Sequence, residues 1–355
     1  MRRILVTGAG GAAAANFVHS LRLAPEPFYV VGTDTSKYHL ELAPVDARYL
    51  LPRADEAGYL DELNALVEAE GVEVVHPQPE QEVLLLAREH ERVRAATFLP
   101  RVETVEICQD KATFARRMAD AGLPAPRFAR ASDESTLREA TAAILEEREQ
   151  AWVRAVRGAG AKASLPVSSP DQAAAWVSYW IERRGLLYED FMVSEFLPGR
   201  EFAFQSIWVD GRLVTSAARE RLEYVFGHLM PSGQSSSPSV ARTVHRKDVN
   251  ELASQAVKAV DPEANGVFCV DLKEDEDGRP LVTEINAGRF FTTSNFLAEA
   301  GANMPYTYVR LALGETTEDL PRFDAVEADL YWIRMIDMGF KLVREGGWRS
   351  RRVDR

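Results

Sequence analysis

The sequence has only two cysteines, Cys108 and Cys269, far apart and without CxxC or Cys/His spacing. That excludes a disulfide framework and gives no zinc site, and it fits a reducing cytosol. Positive charge is also short, with 42 Lys and Arg against 54 Asp and Glu and a formal net charge of -12. A general nucleic-acid binder meets phosphates with clustered Lys and Arg, so that class of partner is set aside. The one basic run, residues 349–355, is short and terminal and reads as a solvated tail. No stretch approaches about 18 apolar residues, and MRRILVTGAGG has too few before its glycines for a signal-peptide core. A cytoplasmic protein without a membrane partner is expected. The six histidines show no ligand spacing and read as structural or solvated.

At 355 residues of ordinary globular composition, the chain has room for two or three domains. Ile4 to Thr7 reads as a strand, GAGGAAAA as a glycine turn entering a helix, and FYVVGTD as a second strand ending in Asp34. This is the start of a doubly wound α/β sheet. Gly8 and Gly10 with Asp34 raise the prospect of a dinucleotide site, but Ala13 stands where the fingerprint has its third glycine. Tight strand-to-helix packing is the rival explanation of the same glycines. GYLDELNALVEAEG is a helix with Leu60, Leu63, Leu66 and Val67 on one face, and VEVVHP is a strand. HPQPEQE follows at the carboxyl end of the sheet, where Glu80, Gln81 and Glu82 are either substrate residues or an acid-rich helix start.

Lys111 opens an amphipathic helix behind Asp110, an N-cap residue, where an anion would also collect. AWVRAVRGAGAKASLPV gives a strand carrying Arg154, a flexible turn with Gly158, Gly160, Lys162 and Ser164, and another strand. Small residues there let backbone N–H groups approach a polyphosphate, although the spacing is not that of a P-loop. In FMVSEFLPGREFAF, Glu195 and Glu201 bracket a Pro-Gly turn between antiparallel strands. ARERLEYVFGHLMPSGQSSSPSVARTV reads as a long substrate-facing loop, with Arg219 and Arg221 at alternate positions of the strand leading into it, suited either to a substrate carboxylate or to plain surface salt bridges. YWIRMIDMGFKLV reads as one buried closing strand.

VFCVDLK and RPLVTEIN read as two strands joined by the turn EDEDG. Side chains alternate along a strand, so Glu284 and Asn286 share a face, Ile285 takes the other, and antiparallel pairing brings Asp271 to the same pocket. Two carboxylates and an amide oxygen suit Mg²⁺, which takes its remaining ligands from water and phosphate.

In this order, GAGG, DKATFARRMADAGLPAP, VRAVRGAGAKAS, VSEFLPGREF, VDLK and TEINAGRFFTTSNFLAEAGANMP resemble the ATP-grasp superfamily, nearest to stand-alone proteins similar to half of the carbamoyl phosphate synthase large subunit. The resemblance implies an N-terminal Rossmann-like pre-ATP-grasp α/β domain over residues 1–108. Two α+β subdomains would follow, a lid over 109–190 and a C-terminal subdomain with the Mg²⁺ site over 191–355. It further implies an ATP-dependent ligase that joins a small carboxylate, amino acid or peptide to an amine through an acyl phosphate, with Mg²⁺ or Mn²⁺ as the metal. Relatives are often dimers, so a homodimer is expected. By match of motif, Lys111 and Arg154 would hold phosphates. Gly158, Gly160, Lys162 and Ser164 would belong to the lid loop. Glu195, Phe196 and Leu197 would contact adenine, Glu201 would bind ribose, and Asp271, Glu284 and Asn286 would bind the metal. Arg289 would steady the transferred phosphoryl, although Ala-Gly replaces the Pro of the family's E-x-N-P-R and adds one residue. Two alternatives stand beside the ligase: a nicotinamide-dependent oxidoreductase built on the N-terminal glycine turn, and a nucleotide-binding module without turnover.

Overall fold

The computed structural model describes residues 1–158, 163–235, 237–317, 319–336 and 339–344. The chain begins with β1 (Arg2–Thr7), α1 (Ala12–Arg22), β2 (Phe28–Asp34), α2 (Lys37–Leu40), β3 (Ala47–Leu50), α3 (Tyr59–Glu70), β4 (Val74–His76) and α4 (Glu80–Arg88). The strands form a parallel sheet in the order β3-β2-β1-β4. Parallel strands are covered on both faces, which explains the unbroken apolar run Ile4, Leu5 and Val6 in β1. Leu60, Leu63, Leu66 and Val67 of α3 cover one side, and Phe17, Val18 and Leu21 of α1 cover the other.

After α5 (Val102–Gln109) and α6 (Lys111–Asp120), a second sheet is built from β5 (Phe128–Arg130), β6 (Ala151–Ala155), β7 (Leu165–Val167) and β8 (Phe191–Glu195). Helices α7 (Glu134–Leu145) and α8 (Pro170–Arg184) connect them, and the order is β5-β8-β6-β7, all antiparallel. β8 belongs to this small sheet although it follows the division expected at residue 190. Alternation divides β6 cleanly: Ala151, Val153 and Ala155 pack on the helices, while Trp152 and Arg154 face the cavity described below.

The third sheet holds β9 (Glu201–Val209), β10 (Arg212–Tyr224), β11 (Pro238–Val244), then, after α9 (Lys247–Val260), β12 (Gly266–Glu274) and β13 (Pro280–Ala287). Helices α10 (Ser294–Glu299) and α11 (Met304–Ala312) lead to β14 (Leu330–Met335) and β15 (Gly339–Arg344). Its order is β13-β12-β9-β10-β11-β14-β15. One face packs Phe202, Phe204, Phe268 and Val270 on α9 and α6. The opposite face is split. Ile207, Val267 and Cys269 join α1 and α11 in an apolar core shared with the first sheet, and the other end carries Glu201, Arg221, Asp271 and Lys273 into a cavity.

Two expectations are corrected here. The closing segment is a hairpin, β14 and β15, and not one strand, which explains its poor alternation. The long loop is shorter than its Ser, Gly and Pro content suggested, because β10 runs through Arg219 and Arg221 to Tyr224 and β11 resumes at Pro238. Ladder pairing with β9 and β11 holds that polar stretch extended. The basic tail at 349–355 lies outside the described residues.

Glu82 is not at the surface of its helix start. It is buried beside Thr7 and Tyr59, and burial outweighs those neighbours to push its pKa up from 4.5 to about 7, with Asp34 adding to the rise. The folded chain therefore keeps a proton that the unfolded chain loses, so stability should fall as pH rises from about 4.5 to about 7 and stay level above. Glu82→Gln should remove this slope and gain about 3 kcal/mol at neutral pH, read from urea melts across that range.

Candidate active site

A cavity of about 250 Å³ lies between the small and large antiparallel sheets. Its floor is the β12–β13 hairpin, whose register sets Asp271 directly opposite Glu284 and Cys269 opposite Asn286. The side chains follow: Asn286 Nδ2 lies 3.5 Å from Asp271 Oδ2, and Asp271, Glu284 and Asn286 all line the cavity. Among the described residues no group of three His, Cys, Asp or Glu could hold a metal ion. The hairpin supplies two carboxylates and an amide oxygen, a set that fits a hard cation taking its other ligands from water and phosphate.

Four cations close on these carboxylates from four different elements. Lys111, the first residue of α6, is positioned by the Asp110 side chain, which accepts from the Thr113 N–H at 2.9 Å. Lys111 Nζ donates to the Gly158 carbonyl at 2.8 Å and lies 3.6 Å from Glu284 Oε2. Arg154 of β6 reaches the same oxygen at 3.6 Å and donates to the Thr283 carbonyl at 3.1 Å. Arg221 of β10 donates to Asp271 Oδ1 at 2.5 Å. Arg289 bonds Asn286 Oδ1 and stands 4.0 Å from Glu80.

The added residue in EINAGR does not misdirect Arg289. Gly288 takes φ +77°, its N–H donates to the Val267 carbonyl at 2.8 Å, and the turn returns Arg289 to the cavity wall. A side chain is disfavoured in that conformation, so the glycine is what absorbs the insertion.

Burial and charge set the protonation here. Burial raises Asp271 against the pull of Arg221, and the negative charge of Glu284 beside it adds to the rise. Burial would raise Glu284 too, but Lys111, Arg154, Arg289 and Arg221 outweigh it and hold it well below the carboxylate range. Lys111 and Arg154 are shifted down, chiefly by burial. The wall thus carries more positive than negative charge, an arrangement made for a polyanion.

The remaining expected residues fall into three groups. Glu195, Phe196, Leu197, Glu201 and Ser164 line the cavity with Arg154. Glu195, however, receives both the N–H and Nε of Arg127, at 3.0 and 2.9 Å, and its own N–H donates to the Arg127 carbonyl, so the main chain offered there is that of Phe196 and Leu197. Glu201 is held by Lys273 at 2.6 Å, by Gln234 and by the Tyr224 hydroxyl. Gly158 borders an adjoining recess with Lys111 and Glu284. Arg219 is buried behind the wall instead of lining it. Gly160 and Lys162 lie outside the described residues.

Sequence reasoning passed over Gln78, Trp152, Lys273, Phe290 and Phe291, all on the cavity. Trp152 and Lys273 were within reach, each two residues from a chosen side chain on the same strand face. Gln78 was not: it donates to the Phe290 carbonyl at 2.8 Å across 212 positions.

The N-terminal glycine turn is closed on itself. Gly10 donates to Asp34 Oδ2 at 3.0 Å, and Asp34 Oδ1 accepts from the Ser36 N–H at 2.8 Å. A Cβ on Gly10 would lie 2.5 Å from the backbone of His39, and one on Gly8 would lie 2.6 Å from Pro79. These glycines permit close packing, and the Gly10 N–H that a pyrophosphate would use is already taken by Asp34.

Fold and cavity thus define an α/β protein with a charged cavity between two antiparallel sheets. A family model described as ATP-grasp in the biosynthetic pathway with Ter operon matches residues 188–332. Among solved structures, L-amino acid ligase from Bacillus licheniformis matches with a TM-score of 0.67 at 16% identity, covering 94% of this chain and 79% of that one. The biotin carboxylase domain of 2-oxoglutarate carboxylase from Hydrogenobacter thermophilus, in complex with MgADP and bicarbonate, matches at 0.68 with 14% identity, covering 93% and 73%. Carboxyaminoimidazole ribonucleotide synthase from Aspergillus clavatus, complexed with ATP, matches at 0.67 with 15% identity, covering 94% and 81%. The chain thus shares its fold with these solved proteins, and its residues 188–332 match the ATP-grasp family model.

Gly288→Ala should destabilise the chain by about 1–3 kcal/mol, because it combines a left-handed backbone penalty with a Cβ placed 2.7 Å from Val83. Urea melts beside Gly314→Ala, where a Cβ at a similar positive φ meets nothing, separate the steric part from the conformational part.

Proposed function

We propose that the chain is an ATP-dependent carboxylate–amine ligase that activates a small acid as its acyl phosphate, releases ADP and phosphate, and transfers the acyl group to an amine. The observation that carries this is the cavity wall on which Asp271, Glu284 and Asn286 meet Lys111, Arg154, Arg221 and Arg289. A triphosphate with its metal needs both charge signs at one place, and phosphoryl transfer asks little more of a protein than alignment and neutralisation. The solved relatives in complex with ATP or MgADP share the fold, which supports the same ligand here.

In this proposal Lys111 and Arg154 hold phosphate oxygens, and the loop carrying Gly158, Gly160, Lys162 and Ser164 excludes water from them. Phe196 and Leu197, with Glu195, receive the adenine, and Glu201 receives the ribose. Asp271, Glu284 and Asn286 would hold Mg²⁺ or Mn²⁺, which when bound neutralises and orients the phosphates. Arg289 faces the transferred phosphoryl, and its bond to Asn286 keeps it at the metal side of the cavity. The division at residues 108 and 190 into a pre-ATP-grasp domain, lid and C-terminal subdomain belongs to the same proposal, with the second boundary moved past β8, which pairs in the small sheet, as does assembly as a homodimer in the cytoplasm. Among the described residues no helix is long and apolar enough to cross a membrane.

Calorimetric titration with ATP and Mg²⁺, beside NAD⁺ and NADP⁺, tests the site. Saturable binding of MgATP and none of the dinucleotides is expected. In a screen of acids and amines, Glu284→Gln should cut ADP release by about a hundredfold or more. Full ADP release by that variant, or binding of NAD⁺ without ATP, would sink the proposal, and MgATP binding without turnover on any pair would favour the non-catalytic module.

A further inference from the structure

Arg219 and Arg221 leave β10 on the same face, and their situations differ. Arg221 donates to Asp271, whereas Nε and Nη1 of Arg219 are buried without a hydrogen-bond partner. Arg219 is 1% exposed. Burial, and after it the neighbouring Arg221 guanidinium, pushes its pKa down to about 9, and Arg334 acts in the same direction. Arg334, on β14, is a second such cation. Its Nε and Nη1 hold the carbonyls of Pro238 and Thr292, and its Nη2 is buried and unpartnered.

Over Arg219 lies the ring of Phe291, 4.7 Å from its Cζ, and the same ring lies 5.3 Å from that of Arg221. An aromatic face offsets part of a cation's charge but accepts none of the N–H groups that point outward in the guanidinium plane. A buried cation without an acceptor destabilises a fold, and groups held at such a cost are commonly kept for a ligand. Phe291 and Thr292 line the cavity two and three residues beyond Arg289; the Phe291 ring covers Arg219 and the Thr292 carbonyl accepts from Arg334, so both guanidiniums lie behind the part of the wall next to Arg289. A planar oxyanion is the chemistry that satisfies a guanidinium edge.

We propose that Arg219, seconded by Arg334, is a specificity subsite for a substrate carboxylate that is not itself phosphorylated, reached from the cavity past Phe291. The role of that ligand rests on the proposed ligation; its charge rests on the two guanidiniums. The carboxylate belongs either to an acid substrate with two acidic groups or to an amino acid serving as the amine.

The full chain, with and without MgADP, is titrated calorimetrically with two probe pairs: glutarate against glutaramate, and L-alanine against L-alaninamide. The carboxylate member of one pair should bind roughly tenfold or more tighter than its amide, and the pair that discriminates names the source. Arg219→Met should abolish the preference while raising Tm, since an apolar chain of similar length replaces an unpaired buried cation, and Arg219→Lys should keep part of the preference. No discrimination by the unsubstituted chain, or a preference that survives Arg219→Met, overturns the subsite, as does a fall in Tm with the preference intact. Should Arg219→Met not fold, Arg334→Gln decides: the carboxylate member alone must weaken severalfold, and equal weakening of both members overturns the proposal. A carboxylate preference in a chain that fails to bind MgADP would reject the ligase and keep the subsite; MgADP binding without the preference would do the reverse.

Discussion

The structure turns on the encounter of Asp271 and Glu284 across one rung of an antiparallel ladder. Two carboxylates facing each other across a ladder repel, and at 9% exposure for Asp271 and 25% for the Glu284 side chain solvent screens them only in part. They are tolerated because Lys111, Arg154 and Arg221 come within salt-bridge distance and Arg289 engages Asn286 beside them. Each cation arrives from a different part of the chain: the start of a helix, the small sheet, the neighbouring strand and the turn after the hairpin. The placement of the two antiparallel sheets over each other is therefore also the charge balance of the cavity.

That balance leans positive, which divides the molecule's labour. The first sheet contributes little charge to the wall; it contributes position. Gln78 ties the end of β4 to the Phe290 carbonyl, and His76, Phe17 and Tyr308 stack around that link. Phe290 follows Arg289 directly, so an aromatic cluster packed on the parallel sheet braces the segment that carries Arg289. A glycine turn that looks like a nucleotide site in isolation has become packing for this brace.

The large sheet shows how one strand face serves two purposes. Along β9, β10 and β12 the same face is apolar where α1 and α11 cover it and charged where the cavity opens. Arg219 sits at the seam between these halves. Its neighbour Arg221, two residues on, has an acidic partner; Arg219 has an aromatic ring and buried, unmatched donors.

Local spacing alone determined the hairpin, the shared face of Glu284 and Asn286, the capping of Lys111's helix by Asp110, and the apolar stripe of α3. Those features follow from backbone periodicity and from the chemistry of adjacent residues, which travel with the sequence. Tertiary structure decided the rest: that Glu82 is buried, that Arg219 lies behind the wall and Arg221 on it, that Gly288 brings Arg289 back, and that Asp34 closes its own turn. Each depends on which distant element packs against the residue, and burial and charge pairing are set by those contacts over tens to hundreds of positions. Periodicity tells a side chain which way to face; only the packed fold supplies what it meets there.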